Sequence, residues 1–319
     1  MTRTLLLLLC LALCAAPALA QRRTARAKAP AAKAAATQTT SARALIVRTE
    51  PRAGVWIDGL RRGTTDESGQ LVVNQVAPGR HTLRVRAAGF AERSLTLLPA
   101  QRGTVEVKLT PTTDEAELAF QRAEDAREGV TPPGATERPD PAELYRRALS
   151  LRPRFPAAHV GLARVLLGRD QYDEALEQIK EARLDRPVYP EASAVEGRIL
   201  RAAADYEAAL ASYRRAVREG RGLQPEAYAG MGIVYEEQGK YEEAVEAFRK
   251  AIAQLHDTEP ALYQLLGAAY EKLERWKEAV AAYEKYLQLA PDGRLAPAIN
   301  SIIDQLRQQA AEQGSPPEQ

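Results

Sequence analysis

Residues 225–251, PEAYAGMGIVYEEQGKYEEAVEAFRKA, read as two amphipathic helices joined by a short turn. Tyr228, Met231, Gly232 and Tyr235 share one face of the first helix, and Tyr241, Ala244, Phe248 and Ala251 share one face of the second. Gly232 and Ala244 are small enough to let the pair approach closely. The pattern continues downstream in Tyr263, Leu266, Gly267 and Tyr270, then Trp276, Ala279, Tyr283 and Tyr286, and stops at Pro291. Upstream it returns in Ser193, Glu196, Gly197, Leu200, Tyr206, Ala209, Tyr213 and Ala216. Before that come His159, Leu162, Ala163, Leu166, Tyr172, Ala175, Ile179, Ala182 and Pro187. In each unit an aromatic precedes an alanine by three residues, at Tyr172/Ala175, Tyr206/Ala209, Tyr241/Ala244 and Trp276/Ala279, with intervals of 34, 35 and 35 residues. Units of this size bury their apolar face only by stacking on their neighbours, so the period specifies a solenoid.

The period and these residues resemble the tetratricopeptide repeat family, with four repeats over 156–294. Glu196 stands where the family prefers Leu. A degenerate first repeat is expected over 112–155, bringing the array to about five. Its second helix is marked by Tyr145, Ala148 and Pro153, and its first lies around Glu115 to Arg127. The Pro- and Gly-containing stretch from Gly129 to Pro141 separates them as a loop. Over 295–311, Ile299, Ile302, Ile303 and Leu306 recur at helical spacing, which suits a capping helix, and 312–319 is expected to be a disordered tail.

The resemblance implies a concave groove lined by the first helix of each repeat. The register then presents Arg164, Arg198 and Arg201 from the two earlier repeats, and Glu236, Glu237, Gln264, Glu271 and Lys272 from the two later ones. A groove basic at its N-terminal half and acidic at its C-terminal half suits an extended protein or peptide segment of complementary polarity. The chaperone-tail carboxylate clamp known in this family relies on groove asparagines. Residues 156–294 contain no Asn, which argues against that specialisation.

At the other end, Arg3, the apolar run Leu5 to Leu13 and Ala18-Leu19-Ala20 read as a secretory signal peptide over 1–20, with the mature chain starting at Gln21. Cys10 and Cys14 both fall inside it, so the mature chain has no thiol for a disulfide, a nucleophile or a metal. Leu13 is not the small residue that usually precedes a lipidated cysteine, which argues against a lipoprotein anchor. No other stretch approaches the roughly 18 apolar residues of a membrane span. The expected location is exported: periplasmic, associated with the cell envelope, or secreted. Residues 21–43 carry six Lys or Arg and no acid in a background of Ala, Pro, Thr and Gln, a basic flexible linker without the apolar content to fold.

Residues 44–111 change period. Leu83 and Val85 alternate with Arg84 and Arg86, and Val105, Val107 and Leu109 with Glu106 and Lys108, the pattern of half-buried strands. Asp58-Gly59, Ser68-Gly69, Pro78-Gly79 and Gly89 mark turns, so a compact β-sandwich is expected. The segment resembles the PEGA domain family through residues 51–59 (PRAGVWIDG), Gly63-Thr64-Thr65, residues 79–85 (GRHTLRV) and Gly89-Phe90, although the tetrapeptide that names the family is here Pro-Arg-Ala-Gly. That resemblance implies a non-catalytic envelope module that could bind a surface polymer such as carbohydrate or peptidoglycan. The chain is therefore expected to be multidomain, a small all-β PEGA-like sandwich followed by an all-α tetratricopeptide solenoid.

The net formal charge of +2 hides a division, with +10 over 21–110 and −9 over 111–319. Two explanations compete: separate partners for the two halves, or attraction between them. His81, His159 and His256 stand apart, on a strand, in a packed aromatic position and in an inter-repeat turn. No His-Glu-x-x-His, phosphate loop or Gly-x-Ser-x-Gly elbow is present. The expectation is a non-enzymatic adaptor that needs no cofactor or metal and takes no nucleic acid.

Overall fold

The computed structural model describes residues 43–76, 79–130, 138–255 and 259–313. The expected signal segment, nearly all of the basic linker, part of the loop before Pro141, His256 and the last six residues lie outside these.

From Arg43 to Pro111 the chain is built of short strands: β1 (Arg43–Arg48), β2 (Gly54–Ile57), β3 (Leu60–Thr64), β4 (Gln70–Val76), β5 (His81–Arg86), β6 (Phe90–Ala91), β7 (Arg93–Leu97), β8 (Gly103–Glu106) and β9 (Thr110–Pro111). One sheet runs β4-β1-β8, with β1 antiparallel to β4 and parallel to β8. The other runs β3-β2-β5-β7, antiparallel throughout, and β6 pairs with β9. Alternation places Leu45, Val47, Val73 and Val105 of the first sheet in one core with Val55, Ile57, Leu83, Val85 and Leu97 of the second. Asp58 closes the β2–β3 hairpin and ties it to β5, its carboxylate accepting the Thr82 N–H at 2.8 Å and meeting His81 Nδ1 at 2.6 Å.

A helical solenoid follows: α1 (Glu115–Arg127), α2 (Pro141–Leu151), α3 (Pro156–Leu167), α4 (Tyr172–Asp185), α5 (Pro190–Ala202), α6 (Tyr206–Glu219), α7 (Pro225–Glu237), α8 (Tyr241–Leu255), α9 (Pro260–Lys272), α10 (Trp276–Leu289) and α11 (Ala296–Gln313). The starts follow from residue chemistry. Proline opens α3, α5, α7 and α9, where its missing N–H costs nothing and its φ is already helical. The stops of these helices are equally uniform. Asp170, Ala204, Gly239 and Glu274 have φ of 58°, 60°, 72° and 56°, and the next residue's N–H returns to the last turn. Those bonds run Gln171 to Leu166, Asp205 to Leu200, Lys240 to Tyr235 and Arg275 to Tyr270, at 2.8–3.0 Å. This left-handed cap aims the chain into the second helix.

Close approach within each pair depends on matched volumes. A Cβ on Gly232 would lie 2.5 Å from Phe248, and one on Gly267 would lie 2.6 Å from Tyr283. In the α3/α4 pair the corresponding residues are Ala163 and the smaller Ile179, both buried in one cluster. Glu196, where the repeat pattern asks for Leu, joins a polar network instead. It pairs with Arg215 and, at 3.8 Å, with Arg183, while Arg183 also meets Glu219 at 3.2 Å and Ser193 donates to Glu219 at 2.7 Å. Those contacts satisfy a carboxylate that would otherwise be costly to enclose. The second helix of the first pair, α2, begins at Pro141 and has 11 residues against 14 or 15 in the other second helices. At the far end α11 adds Ile299, Ile303 and Leu306 to the core of α8, α9 and α10.

The β region and α1 are joined by a buried amide. Gln121 is 4% exposed, accepts the Gly89 N–H at 2.9 Å and donates to the Phe90 carbonyl at 2.8 Å. Beside it the Arg86 guanidinium lies 4.6 Å from the Phe120 ring centre and 3.6 Å from Glu124, and Arg61 meets Glu128 at 3.1 Å.

Candidate partner-binding groove

Consecutive first helices touch, α1 with α3, α3 with α5, α5 with α7 and α7 with α9, while each second helix packs on the first helices before and after it. A solenoid whose first helices converge in this way turns them to its inner face. The charged residues expected there lie on these helices, and the three arginines are linked to carboxylates of the following first helices. Arg164 on α3 meets Glu191 at 2.7 Å and Glu226 at 3.9 Å, Arg198 on α5 meets Glu226 at 3.1 Å, and Arg201 meets Glu237 at 2.8 Å. The floor is thus a ladder of alternating charge, and the arginines of the N-terminal half are already matched by carboxylates.

Electrostatics follow from that ladder. Burial works against the Arg164 charge, but Glu191 and Glu226 outweigh it and raise its pKa. Burial would raise Glu191, yet Arg164 and then Arg84 of β5 pull it down to about 2. Glu236 goes the other way, raised by burial and by its neighbour Glu237. Glu271 accepts a hydrogen bond from the Tyr283 hydroxyl, and Gln264 is half-buried. At the C-terminal end Glu271 and Lys272 border an open hollow of about 320 Å³ with Trp276, Ile302 and Leu306.

Two features were not anticipated from sequence. Glu191 and Glu226 each follow the proline that opens a first helix, a place where a carboxylate suits the helix dipole, and their reach to an arginine one repeat earlier depends on stacking. The second is a set of tyrosines that pass from second helices toward the groove. Tyr145 donates to Glu124 and Tyr283 to Glu271, while the Tyr213 hydroxyl, beside Arg201, has no acceptor among the described residues. His159 is structural, being 9% exposed and meeting Gln178 Oε1 at 2.8 Å and the Pro153 carbonyl at 2.9 Å. Among the described residues no three His, Cys, Asp or Glu side chains gather as a metal site, and no helix is long and apolar enough to cross a membrane.

The helical array carries tetratricopeptide repeats. Residues 140–199 and 225–292 each match a family model described as tetratricopeptide repeat. Two solved structures share the fold. Against pilF of Pseudomonas aeruginosa the TM-score is 0.50 at 18% identity, covering 62% of this chain and 88% of that one. Against PilW, a widely conserved type IV pilus biogenesis factor, it is 0.50 at 17% identity, with 62% and 88% covered. A thermophilic TPR protein of Thermus thermophilus gives 0.47 at 22% identity, with 60% and 97% covered. The comparison with curated proteins found no match.

Proposed function

We propose that this chain is an exported, non-enzymatic adaptor whose tetratricopeptide groove holds an extended segment of a protein partner. The carrying observation is the convergence of α3, α5, α7 and α9 on one face with a charge ladder along it. The partly exposed Arg198–Glu226 and Arg201–Glu237 pairs are of the kind that contributes only about 0–1 kcal/mol each, so a ligand of matching polarity can exchange into them. Export rests on the signal-like segment at 1–20. Capture from envelope extracts by the chain and by an Arg198→Glu/Arg201→Glu variant of equal thermal midpoint is the test. The reading expects proteins captured by the first to be lost from the second; identical captures would remove the groove assignment.

A second reading makes the β region, with its PEGA-like sequence, a polymer-binding module. Less favours it, because Arg61, Arg84 and Arg86 are engaged with Glu128, Glu92 and Glu124. Sedimentation of the full chain with purified cell wall would revive it.

A further inference from the structure

The aromatic residues of the second helices meet different partners, and the difference exposes a missing group. Tyr283 lies 12 residues after Glu271 and donates its hydroxyl proton to that carboxylate. At the same offset Phe248 follows Glu236 and has no proton to place, whereas Tyr213 follows Arg201. Arginine carries only donors, so even a contact from Arg201 to the phenol oxygen leaves the Tyr213 proton without an acceptor.

The Tyr213 side chain is 0% exposed, and its hydroxyl finds no acceptor among the described residues, since the Arg201 guanidinium beside it carries only donors. It runs through a slot kept open by glycine on both sides, since a Cβ on Gly197 would come within 2.7 Å of the ring and one on Gly230 within 2.3 Å. Gly197 belongs to α5 and Gly230 to α7, so the slot leads from α6 to the groove floor between those helices. Burial pushes the phenol up to about 12, which keeps it a proton donor at physiological pH, and the charged groups acting on it are Arg201, Arg198 and Glu226. A buried donor without an acceptor calls for an explanation. Both arginines are held by partly exposed pairs, Arg198–Glu226 with side chains 44% and 39% exposed and Arg201–Glu237 with 30% and 32%, so they can turn to a ligand.

We propose that Tyr213, Arg198 and Arg201 form a subsite for a carboxylate of the bound segment, which supplies the acceptor that Glu271 supplies to Tyr283. This rests on the groove reading above and adds the chemistry of one position in it. The subsite is a phenol and two guanidinium groups in the middle of the array, and uses no asparagine. The phenol donates to one carboxylate oxygen while the guanidinium groups, released from Glu226 and Glu237, balance the charge.

The test uses three fluorescent dodecapeptides at about 0.15 M salt, where long-range attraction is screened. One alternates Ala and Glu with an amidated C-terminus, one alternates Ala and Gln with an amidated C-terminus, and one alternates Ala and Gln with a free C-terminal acid. A carboxylate-bearing probe is expected to bind the full chain more tightly than the Ala-Gln amide, and the probe that does so tells whether side chain or chain terminus is read. Tyr213→Phe is expected to weaken that probe about tenfold or more, as for a lost bond to a charged group, to leave the amide control unchanged and to keep the thermal midpoint. Arg201→Glu gives the phenol its own carboxylate and is expected to abolish the preference. Equal binding of all three probes, no binding of any, or an undiminished preference in Tyr213→Phe would overturn the subsite. The groove itself stands or falls separately, by the envelope capture.

Discussion

Gly232 and Phe248 show how one residue's volume sets the spacing of a helix pair. Adding the Gly232→Ala methyl forces Phe248 aside, and overpacking of this kind costs about 1–3 kcal/mol. The α3/α4 pair already carries the compensated combination, Ala163 with Ile179. The double variant Gly232→Ala/Phe248→Ile should therefore recover part of the loss, and a thermodynamic cycle by chemical denaturation reads the coupling. Titration offers a second handle on single residues. The Glu191 carboxyl is lowered to about 2, against roughly 4.3 in an unfolded chain. Its stabilisation is present above that unfolded value and is lost as pH falls from there toward 2. Glu191→Gln should lower the thermal midpoint at pH 7 and shrink the loss on acidification. Glu236 is raised, so its ionised form costs stability as pH climbs through the carboxylate range. Glu236→Gln should raise the midpoint at pH 7 and leave it unchanged near pH 3, both by calorimetry.

At the scale of elements, Gln121 decides how the strands meet the helices. Gln121→Leu would leave the Gly89 N–H and the Phe90 carbonyl without their partner, and a buried unpaired group costs about 1–3 kcal/mol. Hydrogen exchange should accelerate at Gly89 and in α1 while α7 to α10 keep their protection; uniform protection would deny Gln121 this role. The helices were legible because the pattern of Tyr228, Met231, Gly232 and Tyr235, then Tyr241, Ala244, Phe248 and Ala251, recurs at helical spacing in each unit, whereas the left-handed caps at Asp170, Ala204 and Glu274 carry no glycine to announce them. The alternation of Leu83 with Val85 likewise announced a half-buried strand. The parallel pairing of β1 with β8 was not legible, since it joins residues about 60 apart and no local signal encodes it. Gln121 was hidden for the same reason, reading on its own helix as one more polar residue. Arg164, Arg198 and Arg201 could be placed on first helices by register, but their carboxylate partners lie one repeat away.

Across the whole molecule, the division of charge between the two halves finds an outlet within the chain. Arg61 and Arg86 of the basic strands meet Glu128 and Glu124 of the acidic helices, and Arg84 acts on Glu191 inside the groove. Attraction between the halves thus accounts for part of the asymmetry that sequence left open between two explanations. On the groove reading, partners bind along the first helices. Hydrogen-exchange mass spectrometry of the full chain, with and without a protein captured from envelope extract, decides it. Added protection is predicted in α5, α7 and α9, with α4, α6 and α8 unchanged; protection confined to the second helices or to the β region would contradict it.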